Sequence, residues 1–346
     1  MSKGRGYRNS GGTRTMEARK VQMTGGATYT ISLPKPWARA MGLNRGDTVY
    51  FEQMGDALVL RTTRAGEREP RSKVLRVEDD EPREHVLRKL IGAYVTGCQF
   101  IELRFGGKGA ATARQAAREF TRLVIGAEVV EETGGRVLIQ DLANPMELSA
   151  DKCLRRMYMT VRSMAEDSVA ALRARDARQA KDVPPRDQDV DRLYWMVAKQ
   201  FHLAVADPSF MAAYDLRAKL QYFTTVAKLL ERIGDHAEKI AMAVLQLGEQ
   251  DLEEAFLKKV DEAVGLALTL LDRAFTSLMA DDLDMANEAL DDWPYLERHI
   301  EELSERVSGA TGVRLLSLAT VVDSISRIGG YASDIAEVAI NGVLSQ

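Results

Sequence analysis

Cysteine is nearly missing from this chain: Cys98 and Cys153 are the two in 346 residues, with no ligand spacing and no framework between them. That excludes a small stapled scaffold and predicts a reducing, cytoplasmic setting without structural disulfides. Histidine is also scarce, at four, and no nucleophile with an adjacent base accompanies the chain's carboxylate pairs. A metalloenzyme is therefore the weakest functional class, and no residue is expected to be catalytic. The chain also lacks an apolar run near the roughly 18 residues that span a bilayer, and its N-terminus lacks a signal peptide's apolar core. The expectation is a soluble protein with no membrane insertion.

Acidic residues are the next absence. Glu17 is the one acid in residues 1–46, against nine Lys or Arg. Of the chain's 47 basic and 51 acidic residues, the other 300 positions hold 38 and 50, so the net charge of -4 conceals a basic head on an acidic body. This segregation points to a polyanion partner for the head alone.

The rest of the chain is organised around residues 226–241, VAKLLERIGDHAEKIA. Leu216, Leu220, Phe223, Ala227, Leu230, Gly234, Ala237, Ala241 and Val244 recur at the spacing of a seam between antiparallel helices. Gly234 costs a helix interior roughly 1 kcal/mol against Ala, so the backbone there is expected to approach something closely. ERIGDHAEKIA (231–241) returns as SRIGGYASDIA (326–336), an offset of 95, with the seam repeated from Leu315 to Val343. Two tandem three-helix bundles follow, 149–247 and 251–345. The first would place helices at about 149–177, 187–206 and 207–247, with Pro184 and Pro185 in a turn; the second at about 251–280, 283–308 and 312–344.

Ahead of the bundles, residues 1–15 carry no periodicity and read as a disordered tail. Residues 16–63 read as strand, strand, short helix, strand, strand, too little to close a core alone, so strands shared with a second chain are expected. A polar linker around Gly66 and Pro70 leads to residues 72–146, whose β-α-β-α-β-β order predicts a small two-layer α+β domain. In it, GGKG (106–109) opens a helix. It reads first as a loop needing flexible residues, although its N–H groups and Lys108 could hold an anion.

Carboxylates form the clearest constellation. Asp187 and Asp191 stand four apart at the start of one helix, as Glu231 and Asp235 do on the next, and antiparallel packing would let the pairs meet. Converging carboxylates repel unless a cation sits between them, and all-oxygen ligation suits hard or borderline ions. The simpler reading is salt bridging, Glu231 to Lys228 and Asp235 to Lys239.

Two resemblances sharpen these expectations. ISLPKPWARAMGLNRGD, within residues 19–63, resembles the SpoVT/AbrB family of swapped-hairpin DNA-binding domains. The resemblance implies a homodimer that presents Arg19, Lys20, Lys35, Arg39 and Arg45 to DNA, or a domain used for dimerisation only. ERIGDHAEKIA resembles the hallmark of the PhoU family, whose paired helical repeats hold metal clusters on acid-x-x-x-Asp motifs. It implies a metal ion (Fe, Mn, Mg or Zn) on Asp187, Asp191, Glu231 and Asp235. Ser326 and Gly330 replace the acids in the second copy, so one site in the first repeat is expected. His236 is expected to make a flanking polar contact.

The expected architecture is thus multidomain and mainly α: a swapped-hairpin β head, an α+β middle domain and a PhoU-like pair of bundles. The combination resembles the archaeal phosphate-uptake regulators. It implies a dimeric, DNA-binding regulator of phosphate uptake, or alternatively an adaptor that contacts a phosphate ABC transporter without binding DNA.

Overall fold

A computed structural model describes residues 18–54, 57–62, 70–145, 147–206 and 219–345. The chain divides into two compact units, Met1–Arg68 and Glu69–Gln346. The expected tail at 1–15, most of the linker, the turn at Gly55 and Asp56, and the start of the third helix with Leu216 lie outside the described residues.

The first unit holds two antiparallel hairpins and one helix. Strands β1 (Gln22–Thr24) and β2 (Thr28–Thr30) meet through a turn in which Gly25 and Gly26 adopt φ of 64° and 79°, a region costly for other residues. Pro36 starts helix α1 (Lys35–Ala40), and Gly42 follows it at φ 67°. Strands β3 (Tyr50–Met54) and β4 (Ala57–Arg61) form the second hairpin. None of the described residues of this unit is buried, while Val21, Met23, Tyr29, Ile31, Phe51 and Leu58 are exposed.

The second unit begins with a four-stranded sheet, β5 (Ser72–Val77), β6 (Phe100–Phe105), β7 (Ala127–Glu132) and β8 (Arg136–Asp141), in the order β5-β6-β8-β7. Strand β5 runs parallel to β6, and the other pairs are antiparallel. Helices α2 (Arg83–Val95) and α3 (Ala110–Leu123) cover one face. Leu90, Tyr94, Ala116, Phe120, Ile101, Leu103, Val137 and Ile139 close the core between the layers. Leu87, Ile91 and Val95 of α2 are only partly buried, because Val86 and Ala93 take the inward face.

The remaining chain is helical: α4 (Ala150–Ala174), α5 (Ala177–Lys181), α6 (Pro184–Ala206), α7 (Leu220–Leu247), α8 (Glu254–Ala280), α9 (Leu283–Val307) and α10 (Gly312–Leu344). Helices α4, α6 and α7 pack on one another, as do α8, α9 and α10, and one hydrophobic core runs through both sets. The expected seam is buried from Leu220 to Val244. Two details differ from expectation. Pro184 and Pro185 open α6 rather than sitting in the turn, since a helix's first residues have no N–H partner for proline to remove; the turn is made by α5, capped by Asp176. Helix α8, moreover, is long and apolar enough by composition to cross a membrane, which the sequence reading did not count. Its apolarity is spent in the core, where Leu257, Val264, Leu271 and Phe275 are buried.

The α+β layer rests against α6. Asp141, at the end of β8, pairs with Lys199 on α6, and both are almost wholly buried. The Lys199 ammonium also lies 4.5 Å from the centre of the Tyr94 ring, and Gln200 donates to the Leu148 carbonyl at 2.7 Å.

Candidate functional site

Three helices build the acidic site. Asp187 falls in the first turn of α6, where exposed N–H groups favour an acid, and Asp191 follows one turn later. Glu231 and Asp235 occupy the same spacing on α7, and Val161 and Met164 of α4 form the apolar wall behind. The sites meet at Gly234. A Cβ placed there would stand 2.7 Å from Asp187 Oδ1, 3.5 Å from Val161 Cγ1 and 3.8 Å from Met164 Cε. The bare backbone is what lets the Asp187 carboxylate lie flush against α7.

The electrostatics are those of crowded acids. Burial, and then the charges of Asp191, Asp235, Glu238 and Glu231, push the Asp187 carboxyl up to about 7. Burial, and then Glu231 and Asp235, push Asp191 up to about 6. Asp187 Oδ1 and Glu231 Oε2 are buried with no hydrogen-bond partner, an arrangement that costs free energy unless something else satisfies them. Glu238, one helical turn beyond Asp235, joins the cluster, and burial followed by Asp235 raises it too. It escaped the sequence reading, although its position seven residues after Glu231 puts it on the same stripe.

Counter-charges are partial. Lys228 Nζ reaches Glu231 Oε1 at 2.6 Å, as the salt-bridge reading expects. Asp235 is 3.9 Å from Arg232 Nη1, not bridged to Lys239. His236 faces away from the acids, with Nδ1 3.3 Å from Ser324 Oγ and its ring against Tyr331. Among the described residues no three His, Cys, Asp or Glu side chains are drawn into a ligand set for one ion. The acids therefore converge in charge, with oxygens left over, without closing on a point.

At Gly329 the second bundle answers the same geometry with apolar groups. A Cβ there would stand 2.1 Å from Leu296 Cδ2 and 3.1 Å from the Trp293 ring. Where the first bundle seats a carboxylate on bare backbone, the second seats a leucine.

In the first unit, Lys35 and Arg39 share a face of α1 four residues apart, Arg19 and Lys20 precede β1, and Arg45 lies in the turn after α1. All five are exposed.

Known proteins match both parts of this layout. Residues 154–244 match the PhoU domain family, and residues 22–68 match the family described as antidote-toxin recognition MazE, bacterial antitoxin. The chain is 23% identical over 195 residues to phosphate-specific transport system accessory protein PhoU homolog 1 of Thermotoga maritima, covering 54% of this chain and 82% of that one. To the PhoU homolog of a Burkholderia species it is 28% identical over 197 residues, covering 53% and 81%. Among crystal structures, PhoU from Pseudomonas aeruginosa aligns with a TM-score of 0.52 at 20% identity, over 58% of this chain and 98% of that one. PhoU from Streptococcus pneumoniae aligns with 0.50 at 18%, over 57% and 94%. The helical body thus has the PhoU fold. The chain carries a PhoU domain behind an N-terminal domain of the MazE/AbrB-like kind.

Proposed function

We propose that the chain is a cytoplasmic, dimeric, DNA-binding regulator of phosphate uptake, resembling the archaeal phosphate-uptake regulators, with one metal ion in its first helical bundle. The observation that carries the reading is the joining of an exposed basic MazE/AbrB-like domain to a body with the fold of phosphate-transport accessory proteins. Two features of the first unit support a paired head. Among the described residues its hairpins bury none, and Phe51 and Leu58 lie exposed on the second of them, a surface that a second copy of the same strands would cover. Arg19, Lys20, Lys35, Arg39 and Arg45 would then be presented twice, matching a two-fold operator.

The residues of the acidic site fit a cation. Asp187, Asp191, Glu231 and Asp235 offer oxygens only, two of which are buried without a hydrogen-bond partner, and the Gly234 backbone leaves the room. A hard or borderline ion such as Mg, Mn or Fe would suit them better than Zn, which favours nitrogen and sulfur. When bound, the ion supplies the positive charge that the raised carboxyls otherwise obtain by keeping protons. Asp187 and Asp191 on α6 and Glu231 and Asp235 on α7 would hold it.

The relatives' names favour a second reading, in which the body acts as an adaptor on a phosphate transporter and the head only dimerises. Footprinting the full chain on the promoter of a phosphate-transport operon separates the two. Protection of a two-fold site at moderate salt is expected. Retention no better than on unrelated duplex, at every salt concentration, favours the adaptor.

A further inference from the structure

One face of the β5-β6-β8-β7 sheet is covered by α2 and α3; on the other, no described element of the same unit packs. Strand register sets three arginines in a row across that open face. Arg76 lies opposite Arg104, and Arg104 opposite Arg136, on three adjacent strands. Their neighbours Val77, Phe105 and Val137 point into the core, so the guanidinium groups share the outer face.

Like charges placed directly across strands destabilise a sheet. Two of the three are compensated: Glu102 takes Arg104 through both of its oxygens, at 2.8 and 3.1 Å, and lies 3.7 Å from Arg136, which also pairs with Glu131. The Arg76 guanidinium has no ion pair or hydrogen bond among the described residues; its backbone carbonyl accepts from Lys89 Nζ at 3.3 Å. The row is therefore assembled with one fork unspent.

These arginines line a groove of about 710 Å³, with Glu78, Glu102, Gly106 and Thr133 also on its wall. The groove is shallow and open to solvent, so a ligand there would be held by charge on one side. Its place in the topology is equally telling, because the carboxyl ends of the parallel strands β5 and β6 both open here, where α/β sheets bind ligands. Gly106 is the first residue of the GGKG loop leading into α3, a motif the acidic site leaves unused.

We propose that this groove binds a small phosphate-bearing anion, inorganic phosphate or a phosphomonoester, on Arg76, Arg104 and Arg136. Arginine forks match phosphate oxygens in pairs, and Glu102 and Glu131, which hold Arg104 and Arg136, leave the third fork of the row without an acceptor. Glu102 already plays the carboxylate's part for Arg104. A phosphate dianion brings a further acceptor and a further charge, which engage the unspent Arg76. Glu102 orients Arg104 and, by its own charge, limits affinity. The inference stands apart from the metal and DNA readings, since it uses neither set of residues.

Titration calorimetry on the full chain, freed of metal by chelation so that the acidic site cannot bridge to phosphate, tests it. Inorganic phosphate, a nucleoside monophosphate and succinate are the titrants. Saturable binding of one or both phosphate compounds at one per chain is expected, and which of them binds names the source. Arg76→Ala, at an exposed position that the fold does not use, should weaken binding at least tenfold while leaving the melting temperature in place. Glu102→Gln should tighten it several-fold. No saturable binding of either phosphate compound, binding indifferent to Arg76→Ala and Arg104→Ala alike, or succinate binding as tightly would each overturn the proposal.

Discussion

Asp187 Oδ1 occupies the space that a side chain on Gly234 would need, 2.7 Å from where its Cβ would stand. The glycine in the middle of α7 and the acid at the start of α6 are two halves of one device, a carboxylate lowered onto a backbone. The obstructing atom is the far end of a flexible side chain, so Gly234→Ala should leave the metal-free stability unchanged, or raise it by the helix propensity gained, up to about 1 kcal/mol. It should nevertheless displace Asp187 and weaken metal binding. Gly329→Ala meets the packed Leu296 and Trp293 instead and should lower the melting temperature clearly. Thermal unfolding of the two variants checks the contrast.

The raised carboxyls predict an inverted pH dependence. Asp187 and Asp191 titrate at about 7 and about 6 in the folded chain, against 3.8 for an unperturbed aspartate. Between those values the folded state holds more protons than the unfolded state, so their contribution is fully present below about pH 4 and is lost as pH rises through 6 and 7. The metal-free melting temperature should carry a falling component from pH 5 to 8. Asp187→Asn with Asp191→Asn should flatten it, and so should added metal.

Lys199 and Asp141 seal the α+β layer to α6 as a buried pair, and burial lowers the Lys199 pKa against the pull of Asp141. Lys199→Met leaves the Asp141 carboxylate buried without a counter-charge, held among the described residues only by the Ala143 N–H at 3.1 Å, and should cost roughly 3–5 kcal/mol. Adding Asp141→Leu should recover most of that loss. Denaturant unfolding of the single and double variants measures the difference.

Much of this was legible in the sequence, for particular reasons. Seam residues from Leu220 to Val244 announce α7 because its apolar stripe is unbroken, and FIELRF announces β6 because its alternation is strict. The unexplained glycine at 234 was readable as a close approach, though not what it approached, since Asp187 lies 47 positions earlier in the chain. Glu238 was hidden by habit of spacing, its partners being one and two turns away. The arginine row was hidden more deeply. Arg76, Arg104 and Arg136 are neighbours only through strand register, which no local pattern encodes.

For the head, each phosphate neutralised should lower log affinity by roughly 0.9 per unit of log salt. Lys35→Ala with Arg39→Ala strips one face of α1 in both copies of the paired head, so the four lost contacts should reduce the salt slope by roughly 3.6 and weaken all duplexes alike. Filter retention across a salt series reads both. An unchanged slope would remove α1 from the interface.

The central claim, that crowded acids in the first bundle hold the chain's metal, is tested most directly by elemental analysis of purified protein. Wild type should carry metal at one site per chain, and Glu231→Ala with Asp235→Ala should remove essentially all of it while the fold remains. Equal metal content in the two proteins, or metal held by the second bundle, would contradict the account.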